Sequence, residues 1–478
     1  MLEHGINAVK DGTNFAAVTS AKSGIPCFIG AWPCHAAQGY MGEPQLILNY
    51  DEAVKVGGYS DEWRNADGTP KWNLCQAIYA HFRLAGMSPA IFINVFDPAV
   101  NKKIASREKC AVVDHRVVIA DGIKDSSLEV EVDAEVANTL TEGVDYEAYY
   151  VNSALTIELI EGSSAYNIAS LTISYNKADL TSITADTIET AIEKVERCKN
   201  LLGVVPDLLC APGWSQTPAV AALLAVKAAN INGLYKAKAV VDLDTSEDAA
   251  DTYDKVAAYK TENGYTDDNQ IVCWPLLKAN GYVFDYSVIL CGAIAAIDES
   301  NDNCPYESPS NKLISISGAC NAANKDISLP VPEANIVCNA GVVTALNFNG
   351  WRIWGNYTAC WPTEADVAKH FICTSRVQDW ICNSFINAFW SYIDRPMTRV
   401  LIDAVVDSFN LWLAGLRSAG ALHDGEIRYV ADNNNTSQLI GGRFRLDTRS
   451  ASPTPAQRID MHAEFDVDML VSALNNNA

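Results

Sequence analysis

Residues 204–243 read VVPDLLCAPGWSQTPAVAALLAVKAANINGLYKAKAVVDL. The opening run is short and apolar and predicts a strand that stops at Ala211-Pro212-Gly213. TPAVAALLAVKAANI predicts a helix with Pro218 near its start, where a fixed φ suits the first turn and the missing N–H costs nothing. AKAVVDL (237–243) is apolar again and predicts a second strand. A strand–helix–strand unit of this length carries a crossover, which predicts neighbouring parallel strands with right-handed connections.

The rhythm extends outward in both directions. Upstream, DTIETAIEKVERCKNLLG places Ile188, Ile192 and Val195 on one helical face and stops at Gly203. Downstream, SEDAADTYDKVAAYKTENG (246–264) predicts a helix and QIVCWP (270–275) a strand. Nearer the start, GIPCFIGAW and AIFINVF (90–96) predict strands, and YDEAVKVGGY (50–59) and LCQAIYAHFRLAG (74–86) predict helices. Residues 1–20 are polar and short of helix signals, so they predict an extended arm. Between the two β/α pieces the period changes. SLEVEVDAEV (127–136), ALTIELIEG (154–162) and LTISYN (171–176) alternate with period two, and predict an inserted all-β unit.

Past Leu346 the pattern is helices followed by strands. DWICNSFINAFWSYI (379–393) aligns Ile381, Phe385, Ala388, Phe389 and Tyr392 on one face. TRVLIDAVVDSFNLWLAGLRSAG (398–420) aligns Leu401, Val405, Phe409, Trp412, Leu413 and Leu416. EIRYVA and GRFRLDT predict strands, the second with Arg443 and Arg445 on one face. The final run points Ala463, Phe465, Val467, Met469 and Val471 one way and His462, Glu464, Asp466 and Asp468 the other, which predicts a strand with no partner further along the chain.

Composition excludes several functions. The chain has 478 residues and a formal charge of −23. A nucleic-acid binder needs a basic face. The acidity is uneven: from Leu346 onward the charge is −3, leaving −20 for the rest, and ten of the eleven late cations are arginine. The 14 cysteines are scattered, mostly in apolar runs and without CxxC, which predicts buried free thiols in a reducing compartment. MLEHGINAVKDG has no apolar core and is not expected to act as a signal peptide. No run reaches the roughly 18 apolar residues of a membrane span.

Catalytic patterns are absent. There is no GxxxxGK[ST], no GxGxxG after a strand, no HEXXH and no zinc spacing; GLRSAG (415–420) reads as a helix end. The seven histidines leave the stretch 116–369 empty, so the β/α region cannot complete a Ser-His-Asp site from its own residues. Ser215 after a strand end reads as a cap or entry-turn residue. The acidic stretch 242–251 reads as a solvated helix start. No cofactor and no metal are expected. Two functions stay open on the residues alone: a hydrolase at a domain junction that borrows His115, His370 or His423, and a carbohydrate-binding surface built on the aromatics of GWRIWGNYTACW (350–361). In that stretch Trp351, Ile353 and Tyr357 share one parity and Arg352 and Trp354 the other, the pattern of a run buried on both sides.

The same stretch and its sequel, through Leu422, resemble the C-terminal domain of contractile phage tail sheath proteins. That family carries G-W-R-x-W-G-N-R-T-A, then R-R-x-x-D-W, then D-x-P-x-x-R before a long helix. Gly350 to Ala359 match, with Tyr357 in place of the usual Arg; Arg376 and Asp379-Trp380 fit the second element, and Asp394, Pro396 and Arg399 the third. HGINAV, SGIPCFIGAWP, FRLAGMSPAIFINVFDP and LGVVPDLLCAPGWSQTPAVAALLAVKA resemble the family's arm, first strand, the segment before its inserted β-sandwich, and the start of its subtilisin-like domain.

The resemblance implies an α/β and α+β multidomain chain. Residues 1–20 would be an N-terminal arm, 21–98 an α/β segment, 99–183 an inserted β-sandwich and 184–345 a non-catalytic subtilisin-like domain. Residues 346–460 would be an α+β sheath domain and 461–478 a C-terminal arm. It implies a structural protein without enzymatic activity, stacked as hexameric rings around a tail tube, with tube, baseplate and tail terminator proteins as partners and assembly in a bacterial host's cytoplasm. Phage tails, phage-tail-like bacteriocins and injection systems share these motifs. Ile6, Val9, Phe15 and Val18 in one arm, and Ala463, Phe465, Val467, Met469 and Val471 in the other, are expected to add strands to a neighbour. Trp351, Arg352, Trp354, Arg443 and Arg445 are expected to pack the C-terminal domain or to meet the tube or an incoming arm.

Overall fold

The computed structural model describes residues 18–66, 68–132 and 138–475. Its centre is a sheet of eight strands: β1 (Pro26–Gly30), β2 (Gln45–Ile47), β3 (Ala90–Asn94), β4 (Leu208–Cys210), β5 (Lys238–Asp242), β6 (Gln270–Cys273), β7 (Val342–Asn347) and β8 (Trp351–Trp354). The order is β8-β7-β6-β5-β4-β1-β3-β2. The six inner strands are parallel, and β2 and β8 close the edges antiparallel. The inner strands are short, apolar and almost wholly buried because helices cover the sheet. α1 (Ala185–Glu193), α2 (Pro218–Ala229) and α3 (Tyr286–Ser300) are among these. α3 carries VILCGAIAAI and is buried on nearly every side, as an all-round apolar helix must be.

The inserted unit has its own core. Strand 170–178 lies between strand 102–111 and the short strands 122–123 and 129–132, and a second sheet orders 116–119, 154–159 and 146–151. Val117, Val130, Leu155, Ile157, Leu171 and Ile173 fill the space between them. A third core joins α4 (Ile372–Phe389), α5 (Arg399–Ser418) and the antiparallel strands 424–429 and 446–451 through Val377, Trp380, Ile381, Phe409, Leu413 and Ile427.

Several expectations are corrected. In 246–264 only Val256–Glu262 is helical. The acidic start turns instead, with the Asp244 carboxylate accepting the Ser246 N–H at 2.9 Å, the competition that keeps Asp out of helix interiors. The strand expected at GRFRLDT begins only at Leu446. Asn434 takes both backbone groups of Arg445, so Arg443 and Arg445 sit in a loop. Val467, Met469 and Val471 are not in a strand: Val467–Asn475 is a helix, α6. Asp466 accepts the N–H groups of Asp468 and Met469, and Val467, Leu470, Val471 and Leu474 fall at i, i+3, i+4 and i+7. An unpaired strand would leave its donors to water, whereas a helix satisfies them locally.

The division at 345/346 falls inside β7, so the aromatic stretch begins as the edge of the central sheet. Ile6, Val9 and Phe15 lie outside the described residues. Val18 packs, half-buried, on the α4–α5 core of its own chain.

Candidate functional site

In an open parallel sheet, ligands bind at the carboxyl ends of the strands where strand order reverses. Here that point lies between β1 and β4, and side chains fill it. Asn73 accepts the Ala31 N–H at 2.7 Å and donates to the Pro212 carbonyl at 2.5 Å. A Cβ at Gly30 would lie 2.6 Å from the Asn73 amide, so glycine is required for this plug.

Beside it sits a polar cluster whose centre, Gln76, Ser215, Asp242, Asp285 and Ser287, is buried. Ser215 Oγ accepts the Asp242 N–H at 2.9 Å, and Asp242 accepts from the Ser287 N–H at 2.8 Å and the Ser287 hydroxyl at 2.5 Å. Asp285 accepts from Gln76 at 2.6 Å and Gln216 at 2.9 Å and pairs with Arg64. Ser215 is therefore a tie between the β4–α2 loop and β5. No histidine reaches it among the described residues.

His115 is stacked on Tyr166 at 3.9 Å, and His370 is enclosed by Tyr357, Trp361 and Phe371. His35, half-buried, and His81, buried, are held down to about 4 by desolvation. Among the described residues no cluster of His, Cys, Asp or Glu could hold a metal ion, and no helix is long and apolar enough to cross a membrane.

Burial first, and then the carboxylate of Asp285, raises the Asp242 carboxyl above the usual range. A raised acid favours the folded state at low pH and opposes it once ionised. Asp242→Asn, which imitates the protonated form, is expected to stabilise the folded chain at pH 8.5 more than at pH 5.5, each tenfold change in proton affinity between folded and unfolded chain being worth about 1.4 kcal/mol. Urea midpoints at the two pH values check this; an equal effect at both contradicts it.

The aromatic stretch is a packed joint. β8 places Ile353 in the core while Trp351 and Trp354 pack half-buried against it. Trp354 Nε1 donates to Asn335 at 2.9 Å, and Arg352 donates to the carbonyls of Asn311 at 2.8 Å and Phe348 at 3.0 Å. Gly355 adopts φ +139°, where a Cβ would lie 2.9 Å from Val343 Cα. Tyr357 is sandwiched between Trp361 (4.5 Å) and Phe371 (5.4 Å). The buried Lys260 donates to the carbonyls of Ala359 and Trp361 at 2.6 and 2.8 Å, and desolvation lowers its ammonium to about 8.

The next motif is a second joint. Arg376 forks onto Asp298 and reaches Asp207 at 2.6 Å, and Asp207 in turn accepts the Ile25 N–H at 2.7 Å. Asp379 pairs with the buried Lys238 at 2.9 Å. Trp380 donates to the Ala21 carbonyl at 2.7 Å while the Ala21 N–H donates to Ser384 at 2.8 Å. One face of α4 thus ties the C-terminal unit to the central sheet and to the segment entering β1. Asp207, Asp298 and Ser384 carry no sequence signal for this role; only the fold brings them to Arg376 and Ala21.

Outside the joints lies exposed apolar material. A groove of about 470 Å³ runs between α4, α5 and the 424–451 hairpin, lined by Ile381, Phe385, Ile386, Phe409 and Leu446. Beyond Arg458 the chain is exposed throughout its described part, with Ile459, Met461, Phe465, Met469 and Leu474 turned to solvent. Arg443 and Arg445 are exposed, the latter paired with Asp447 at 2.7 Å. The structure brings Trp351, Arg352 and Trp354 together at the first joint but leaves Arg443, Arg445 and residues 463–471 apart from it.

No family model matches the chain. The tail sheath protein of Burkholderia phage BcepMu is 23% identical over 493 residues, covering 99% of both chains. A putative prophage major tail sheath protein of Pseudomonas aeruginosa is 24% identical over 291 residues, 60% of this chain and 72% of that protein. The fold matches the PVC sheath complex of an extracellular contractile injection system in its contracted state, with TM-score 0.58 and 13% identity over 98% of this chain and 99% of that one. It also matches the contracted helical sheath of the anti-feeding prophage, with TM-score 0.57 and 12% identity over 97% and 99%. A relative aligned from end to end, ordered motifs that form joints rather than a reaction centre, and a fold shared with the sheaths of contractile injection systems make this chain similar throughout its length to contractile tail sheath proteins.

Proposed function

We propose that the chain polymerises as stacked hexameric rings around a tail tube and contracts to drive the tube through a target cell envelope. The observation that carries this is the presence on one chain of an exposed C-terminal segment bearing apolar side chains and an apolar groove beside a two-stranded hairpin. The hairpin 424–429/446–451 is a two-stranded sheet, and such a sheet gains stability from a third strand. An arm from another copy, from either end of the chain, supplies one by β-augmentation. Residues 463–466 are non-helical here and free to pair, and the helical turns of α6 would unwind or follow behind.

In this reading the central sheet with its crossovers is the subtilisin-like domain, used as a scaffold, and residues 99–183 form a β-sandwich. The C-terminal unit, with Trp351, Arg352, Trp354, Arg443 and Arg445, lies toward the tube and the arms. The joints at Arg376 and Tyr357 support subunits that move as rigid bodies, with the work of contraction stored in intersubunit contacts. The partners are further copies, the tube protein, and baseplate and terminator proteins, met during assembly in a bacterial host's cytoplasm.

Electron microscopy of the purified protein tests the reading. Rings or helical tubes are expected, together with co-purification of a tube protein when the two are co-expressed. A strictly monomeric product under both conditions overturns it.

A further inference from the structure

The strand 446–451 ends at Ala451, yet the chain does not leave the body there. Residues 452–458 run back across the molecule to the aromatic joint, and one side chain fastens them. Gln457 Oε1 accepts from the Tyr357 hydroxyl at 2.9 Å, and Gln457 Nε2 donates to Asn356 Oδ1 at 3.1 Å. The anchor is rigid because the Tyr357 ring is held between Trp361 and Phe371. The rest of the span is loosely held. Among the described residues no backbone hydrogen bond joins 452–458 to the body. A cleft of about 800 Å³ lies between the span and the wall that carries Asn335 and Trp354. Immediately after it, Ile459 and Met461 are 88% and 85% exposed.

We propose that residues 452–458 are a releasable strap, latched by Gln457 onto Asn356 and Tyr357. The strap is seated in one state of the assembled sheath and lifted in the other. This deepens the preceding reading and rests on it, because it takes the chain beyond Arg458 as an arm that reaches another copy. A seated strap launches the arm at residue 459, from a fixed point beside β8. A lifted strap launches it at residue 452, and seven extended residues add roughly 20 Å of reach. A change in spacing between copies can then be absorbed without withdrawing the arm from its neighbour. Two hydrogen bonds at a half-exposed site are weak enough to yield to an intersubunit rearrangement and strong enough to hold the free subunit in one form.

Trypsin reads the latch in the isolated full-length subunit. Arg458 is the one Lys or Arg beyond Arg449, so a single cut reports on the strap. A protease needs several residues unfastened on each side of the bond it cuts. Tyr357→Phe keeps the ring stack, removes the hydroxyl and lies far from the cut in sequence. Cleavage after Arg458 is expected to accelerate about threefold in Tyr357→Phe and about tenfold in Gln457→Ala, each lost hydrogen bond shifting the open population by that order. Unchanged rates in both variants overturn the latch. Maps of the extended and contracted particle test the release: the contact between residues 357 and 457 is expected in one state only, and its presence in both overturns the strap. Failure of the arm reading would show instead as normal polymerisation of a chain cut back to Arg458, whatever the trypsin rates.

Discussion

Replacing Arg376 by Met is expected to destabilise the subunit by about 3–5 kcal/mol, a large effect for a single substitution. The guanidinium is buried between Asp298, which has no exposed surface, and Asp207. Burial already raises the Asp298 carboxyl, and the arginine opposes that rise. With the cation gone, Asp298 is left charged in an apolar setting or must take up a proton. The sign follows: the folded variant prefers protonated Asp298, so its deficit is greatest above neutrality and shrinks as pH falls. Urea unfolding at pH 8 and pH 5 checks this. A second change, Asp298→Asn, is expected to restore part of the loss, because removing both partners costs less than removing one. A variant as stable as the parent at pH 8 would show that the triad adds nothing. Since Arg376 joins the C-terminal unit to the central sheet, the same variant is expected to let the two units open separately, seen as two unfolding steps in place of one.

Deleting residues 459–478 is expected to abolish polymerisation while leaving the monomer's thermal midpoint unchanged. The described part of the segment is exposed, and Ile459, Met461 and Phe465 meet no part of their own chain's core. Its removal therefore takes little from the isolated fold. On the proposed reading an assembled sheath would, by contrast, lose a strand added to the hairpin, together with its main-chain hydrogen bonds and the apolar side chains laid in the groove over α4. Negative-stain microscopy and sedimentation of the truncated protein provide the check. Tubes of normal length from that protein would remove the C-terminal arm from the mechanism and leave the likeness to sheath proteins standing.

These two expected results draw on different kinds of information, and the division runs through particular residues. The central strands were legible because each is a short apolar run bounded by turn residues, and the helix between β4 and β5 because Pro218 marks its first turn. The missing histidines excluded, on the sequence alone, a triad built from the β/α region's own residues, and the order of motifs from HGINAV to RSAG pointed to the resemblance with sheath proteins. GWRIWGNYTACW was legible as buried because both parities are apolar.

Tertiary structure decided the rest. Residues 246–255 lost their expected helix to an Asp side chain two residues away. Residues 467–471 lost their expected strand because pairing needs a second backbone and none lies beside them among the described residues, so helical spacing prevailed. Arg376 was visible as a motif residue, but its partners lie 78 and 169 positions away in sequence and carry no local pattern. Gln457 is one polar residue in a polar segment until the fold sets it against Tyr357. Periodicity and composition report what a residue prefers along its own element. Which distant group meets it, and whether a free segment has a partner at all, depends on three-dimensional closure of the chain.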